Sequence, residues 1–223
     1  MSEECYYCDS LGTTDEHVPP RCLFPEEKDF GVNYRKNLIT VKSCIDHNSK
    51  KSGADENLRQ ILVASPFNNE VGLGLVGGKW ARAFQRNPKY LEKFTSGGRP
   101  ISYQLTEDAE YQEGLMIKTN LDELDESMKK ICAGLFYHET GTKLKGKAAL
   151  FTGFTAYLDE SAQRDSERAI ELVRNYFSGK SRRGENPEVF YYHFEFSEKS
   201  ATFYLVFYAY NEVLVKFNRE DSF

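Results

Sequence analysis

Nowhere in this 223-residue chain does an apolar run approach the length needed to cross a bilayer. Its first residues, Met1-Ser2-Glu3-Glu4-Cys5, lack the basic and apolar regions of a secretory signal. The expected setting is the cytoplasm, with no membrane partner. Cysteine is scarce, and five residues, an odd number, in a reducing compartment speak against a disulfide framework. Excess positive charge is missing too: 29 Lys and Arg face 34 Asp and Glu, for a net charge of −5. That balance excludes a protein that coats nucleic acid by charge alone, because such affinity comes from neutralising phosphates with Lys and Arg. Any nucleic-acid role has to be local.

What is present is a 40% hydrophobic content, enough to bury a proper core in one large domain or two small ones. Cys, His, Asn and charge crowd into residues 1–65. Pro66-Phe67-Asn68-Asn69 and the glycines up to Gly78 then interrupt the pattern, so 66–78 is expected as a linker and 79–223 as a second, mixed α+β unit. In the first part a strand is expected to end near His17, a second to cover Asn37 to Val41, and a helix to cover Asp55 to Ala64. In the second part, helices are expected over Lys79 to Phe94 and Leu121 to Tyr137. Aromatic β-rich runs at Val189 to Phe196 and Thr202 to Tyr210 predict a hairpin, with Val213 to Phe217 adding a strand. The fold class is α+β.

Cys5-Tyr6-Tyr7-Cys8 and Cys44-Ile45-Asp46-His47 are two ligand pairs, each spaced by two residues. A tetrahedral zinc site needs four N or S ligands of this kind. A lone Cys-x-x-Cys could be a redox pair, but no thioredoxin-like context surrounds this one and the second pair contains His. A structural zinc would tie the N-terminus to the start of the helix. Cys22 and Cys132 have no partner pair and read as ordinary buried or loop thiols.

The stretch Asp15-Glu16-His17-Val18-Pro19-Pro20 places acids and a histidine against two prolines, which cannot donate ladder hydrogen bonds. Asn48 follows the last knuckle ligand directly. If the strand of Glu16 and His17 pairs with that of Leu38 to Val41, then Glu16, His17 and Asn48 converge beside the zinc. A carboxylate and an amide oxygen suit a hard cation such as Mg²⁺, and a neighbouring histidine can deprotonate water.

This segment resembles the HNH nucleases of the ββα-metal type with a zinc-knuckle scaffold. The resemblance rests on Cys5, Cys8, Glu16-His17, Asn37-Leu38, Cys44-x-x-His47, Asn48 and Lys51-Ser52, roughly the first quarter of the chain. It implies that Glu16 and Asn48 hold a catalytic Mg²⁺ or Mn²⁺, that His17 is the general base, and that Asn37 braces the histidine loop. Two departures stand out. His47 sits where Cys is commoner, and Glu16 where Asp is frequent, which leaves Asp15 as a competing ligand. Lys50, Lys51 and Arg59 could bind flanking phosphates, although exposed helix positions often only solubilise.

The function these residues imply is metal-dependent hydrolysis of phosphodiesters in DNA, with RNA as an alternative substrate because the site reads phosphates. By resemblance, the biology would be restriction, anti-phage defence or phage DNA processing. A homodimer or a partner protein would help an acidic chain hold its substrate. The competing expectation is a zinc-knuckle adaptor that binds nucleic acid or protein and cleaves nothing. Three further signals are discounted. Gly72-Leu73-Gly74-Leu75-Val76-Gly77 matches a dinucleotide-binding string without the preceding buried strand. His138-Glu139 and His193 sit in a helix end and an aromatic strand. The aromatic hairpin, apolar on both faces, reads as core or an oligomer interface rather than a base-stacking platform.

Overall fold

A computed structural model describes residues 4–49, 52–104 and 108–219. β1 (Thr14–His17) and β2 (Thr40–Ser43) form an antiparallel hairpin with Glu16 opposite Val41 and His17 opposite Thr40. Their connection holds a cis Val18-Pro19 bond, a 3₁₀ turn at Arg21–Leu23 and the short helix α1 (Glu27–Phe30). α2 (Ile45–Ser49) and α3 (Ser52–Ala64) follow, so the N-terminal unit runs β, β, α. β2 starts at Thr40, three residues later than expected, because Asn37 holds a left-handed φ of 53° and is still turning the chain. Asn tolerates that region better than most residues.

The stretch expected as a linker is helical. α4 (Glu70–Leu75) begins where the Asn69 side chain accepts from the Gly72 N–H, and a π-helical turn (Val76–Trp80) continues into α5 (Ala81–Arg86). Two of the glycines of this stretch serve packing, whereas Gly77 and Gly78 face open space. A Cβ on Gly72 would meet the Asn68 side chain at 2.7 Å, and one on Gly74 would meet the Phe30 ring at 2.7 Å. The single helix expected over 79–94 is divided between α5 and α6 (Pro88–Thr95), because Pro88 cannot continue the ladder and suits a first helical turn.

β3 (Arg99–Tyr103) and β4 (Gln112–Met116) make a second hairpin. α7 (Leu121–Thr140) is closed by Asn120, which accepts from the N–H groups of Asp122 and Glu123, and by Gly141 in the left-handed region. β5 (Gly146–Thr152), α8 (Glu160–Phe177), β6 (Arg183–Asn186), β7 (Phe190–Phe196), β8 (Ser200–Phe207) and β9 (Asn211–Arg219) complete the chain. The five strands form one antiparallel sheet in the order β5-β9-β8-β7-β6. Among the described residues no helix is long and apolar enough to cross a membrane.

The two-faced apolarity of β8 follows from its central place in this sheet. Phe203, Leu205 and Phe207 join Met128, Ile131, Leu135 and Phe136 of α7 in the main core, while Tyr204 and Val206 pack with Val173 and Phe177 of α8. The aromatic hairpin is therefore core. The N-terminal unit docks on the turns at one end of this sheet. Tyr208 donates its hydroxyl to the Leu23 carbonyl at 2.7 Å, Asn211 bonds Asn68 at 2.8 Å, and Tyr34 donates to Glu188 at 2.9 Å. Tyr208 and Ala209 hold left-handed φ values of 49° and 70° in the β8–β9 turn. The backbone bonds Tyr208 N–H to Val189 O and Asn69 N–H to Tyr208 O help over-determine that strained conformation.

Candidate metal centre and histidine site

Cys5 and Cys8 sit in a loop fastened to the hairpin, with the Cys5 N–H donated to the Ser10 carbonyl at 2.8 Å and the Tyr6 N–H to the Lys42 carbonyl at 2.9 Å. Cys44 directly follows β2 and His47 lies in α2, so residues from both ends of the unit meet in space. The four ligand atoms all lie within 4.8 Å of one another. Ideal tetrahedral zinc geometry, with Zn–S near 2.3 Å and Zn–N near 2.05 Å, implies edges of about 3.8 Å between sulfurs and about 3.5 Å between sulfur and nitrogen. Observed separations are 3.8 Å for Cys8–Cys44, 3.1 Å for Cys44–His47 Nδ1 and 3.8 Å for Cys5–His47 Nδ1. The group can hold a metal ion such as zinc. Burial pushes the Cys5 thiol up, but the backbone N–H groups of Tyr7, Cys44 and Cys8 outweigh it and draw it down to about 6, favouring the thiolate that binds metal. Lys143, from beyond α7, ion-pairs with Glu4 at 2.6 Å and Asp9 at 2.8 Å and so clips the knuckle loop to the rest of the molecule.

Alternation along β1 divides the remaining candidates between two faces. Glu16 is buried, pairs across to buried Val41 and accepts from the Tyr6 hydroxyl at 3.0 Å. His17 and Asp15 point to the other face, where Asp15 pairs with Lys42 at 2.8 Å and His17 lies beside Thr40. Asn48 lies across β1, donating its amide to Thr14 Oγ1 at 3.0 Å and to the Asp15 carbonyl at 3.3 Å. The structure thus keeps His17 and Asp15 together on one face of β1, while Asn48 of α2, bonded to the Thr14 side chain, and the inward Glu16 belong to the other. Asn37 is exposed and serves the turn before β2.

Thr40 is the partner of the histidine. Its hydroxyl lies 3.2 Å from His17 Nδ1 and 3.3 Å from the Leu38 carbonyl; when the hydroxyl donates to Leu38, Oγ1 accepts from Nδ1–H and the lone pair is on Nε2. Burial lowers the pKa of His17, and the cations of Arg21 and Arg35 lower it further against the opposing charge of Asp15. The imidazole is neutral at physiological pH. Arg35 is anchored to the Phe24 carbonyl at 2.9 Å and to Glu26, whereas the exposed Arg21 side chain makes no hydrogen bond or ion pair among the described residues. Both arginines could be seen in the sequence as nearby basic residues, but nothing in the sequence put them at His17.

The phosphate contacts expected on α3 need correction at Arg59, which is buried, pairs with Glu56 one turn away and offers no surface charge. A helix position facing the core forces that outcome whatever the residue type. Lys50 and Lys51 lie outside the described residues. Cys22 is pushed up to about 12 and Cys132 well above the usual thiol range, both by burial, as expected of inert buried thiols. His193 is buried against Phe177, with ring centroids 4.9 Å apart, and Glu139 accepts from the Tyr192 hydroxyl at 2.6 Å. No family model, curated protein or solved structure matches the chain.

Proposed function

We propose that the chain is a metal-dependent endonuclease of the HNH kind that hydrolyses DNA phosphodiesters, with a structural zinc held by Cys5, Cys8, Cys44 and His47. The observation that carries this reading is the neutral His17. It stands at the end of a hairpin clamped by the Cys₃His group, with Nδ1 beside the Thr40 hydroxyl. In this role His17 takes a proton from water for in-line attack on phosphorus. Arg21, otherwise uncommitted, faces the negative charge of the scissile phosphate. Asp15 supplies a hard carboxylate donor on the same face as His17, and Glu16 serves as a buried brace on Tyr6. A divalent cation on such oxygens would stabilise the developing charge at phosphorus and the leaving 3′ oxygen.

The burial of Glu16 favours a second reading, a zinc-knuckle adaptor without catalysis, since that carboxylate is turned away from His17. Supercoiled plasmid incubated with the purified protein in Mg²⁺ or Mn²⁺, beside His17→Ala and a chelated control, separates the two. Cleavage lost in both controls supports the nuclease. Uncut plasmid with zinc bound and the fold intact supports the adaptor.

A further inference from the structure

Charge is distributed unevenly along this chain. Residues 79–99 contain six Lys and Arg (Lys79, Arg82, Arg86, Lys89, Lys93 and Arg99) against one acid, Glu92. The segment has a net charge of +5 in a chain of −5, so the other 202 residues together carry −10. In the fold this segment is the end of the π-helical turn, α5, α6 and the start of β3, and Gln85 to Lys89, around the break between the helices, is a continuous exposed tip. Arg86 and Lys89 at this tip make no hydrogen bond or ion pair among the described residues, and Arg99 is exposed on β3. Among the described residues some cations elsewhere are matched with carboxylates, as in Lys180 with Glu195 and Arg174 with Glu212, and others such as Lys147 and Lys216 are not; what sets this segment apart is the near absence of acids around its cations.

The segment is also held next to the histidine loop. The Phe30 ring of α1 fills the space left by Gly74 in α4, and Arg82 reaches Asp29 at 3.3 Å. α1 belongs to the same β1–β2 connection that begins at His17, so these two contacts tether α4 and α5 to the loop that follows the histidine. Two of the three carboxylates in between are paired, Glu26 with Lys28 and Arg35 and Asp29 with Arg82, and Glu27 is exposed.

We propose that α5 and α6 form a basic arm that binds the phosphodiester backbone of DNA flanking the phosphate at His17, with Arg86 and Lys89 as its principal contacts. An acidic protein gains from segregating its cations in this way, since backbone affinity scales with the phosphates it neutralises locally. Non-sequence-specific contacts of this sort position the duplex rather than select bases. The proposal rests on the phosphodiesterase reading for the identity of its partner, but its test does not require cleavage.

Fluorescence anisotropy with a labelled duplex of mixed sequence, over a series of NaCl concentrations, reads the arm directly when every protein also carries His17→Ala. Each lost phosphate contact removes about 0.9 from the slope of log K against log salt, and about eightfold in affinity near 0.1 M. Arg86→Gln with Lys89→Gln should therefore flatten the slope by about 1.8 and weaken binding by about 10- to 60-fold. Lys147→Gln with Lys216→Gln changes the net charge equally at exposed sheet positions and should leave affinity within about threefold. Equal losses in both pairs, an unchanged slope in the arm variant, or no duplex binding by the parent would overturn the arm. Plasmid cleavage by the protein with native His17, measured separately, reports on the nuclease reading, so the two can fail independently.

Discussion

Gly134 in the middle of α7 supports the loop that follows His17, and its replacement by alanine provides a sharp probe of how the fold positions that residue. A Cβ there would lie 2.6 Å and 3.0 Å from the two Val18 methyls and 3.3 Å from its Cβ. Ordinary carbon contacts are about 3.5–4.0 Å, so Val18 must move by roughly 1 Å. Overpacking of this degree costs about 1–3 kcal/mol, while replacing glycine inside a helix returns about 1 kcal/mol. Gly134→Ala alone should destabilise by about 0–2 kcal/mol, a shift visible in urea denaturation. In a Val18→Ala background the clash is gone and the same substitution should instead stabilise by about 1 kcal/mol, giving a coupling of about 1–3 kcal/mol in the double-mutant cycle. Val18 is bonded to His17, so the single variant should also lower cleavage by as much as about 100-fold, with recovery in the double variant. A coupling under about 0.5 kcal/mol would refute the packing argument. Full coupling with unchanged cleavage would show that α7 does not govern His17.

Three other outcomes follow from the site. Cys8→Ala removes one of four ligands from a site type worth about 10–16 kcal/mol, so zinc affinity measured against a chromophoric chelator should fall by about 100- to 1,000-fold. Hydrogen exchange should then rise in the knuckle and the β1–β2 hairpin while β7 to β9 stay protected, and unaltered affinity would show that the four residues are not a site. The base acts in its neutral form and the pKa of His17 is lowered, so cleavage should climb with pH through an inflection below 6.5 and then level off. Arg21→Gln should move that inflection upward, and Thr40→Val should reduce the plateau about fivefold by removing the partner of Nδ1; an inflection indifferent to Arg21 would contradict the assigned surroundings. Arg59→Ala should destabilise by about 1–3 kcal/mol in urea and leave duplex affinity within error, the reverse of what a phosphate contact would do.

Local spacing made some of this protein legible. Two ligand pairs separated by two residues announce a metal site because the chemistry of tetrahedral sulfur and nitrogen ligation leaves few other uses for them, and the structure brings all four together. The α7 helix and the β7–β8 hairpin were readable because long apolar periodicity survives any tertiary context. α8 went unread although Asp159 caps it, because its buried Ile170, Val173 and Phe177 are diluted by charge. β5 and β6 lie at the sheet edges, each with a single strand neighbour; β6, Arg183–Asn186, is short and polar and so carries no strand pattern of its own.

Residue types and their order along the chain determined by themselves that this is an α+β protein with a Cys₃His group beside an acid-histidine pair. The face on which each acid lies was decided by the β1–β2 register, which turned Glu16 inward and left Asp15 with His17, since side chains alternate and a shift of one residue would exchange them. Tertiary packing also decided that Arg59 is internal and that Gly72 and Gly74 make room for Asn68 and Phe30. The partner of His17 Nδ1 is a threonine 23 residues away. A local window specifies which groups a chain possesses, but their direction and protonation depend on neighbours that only the folded chain supplies.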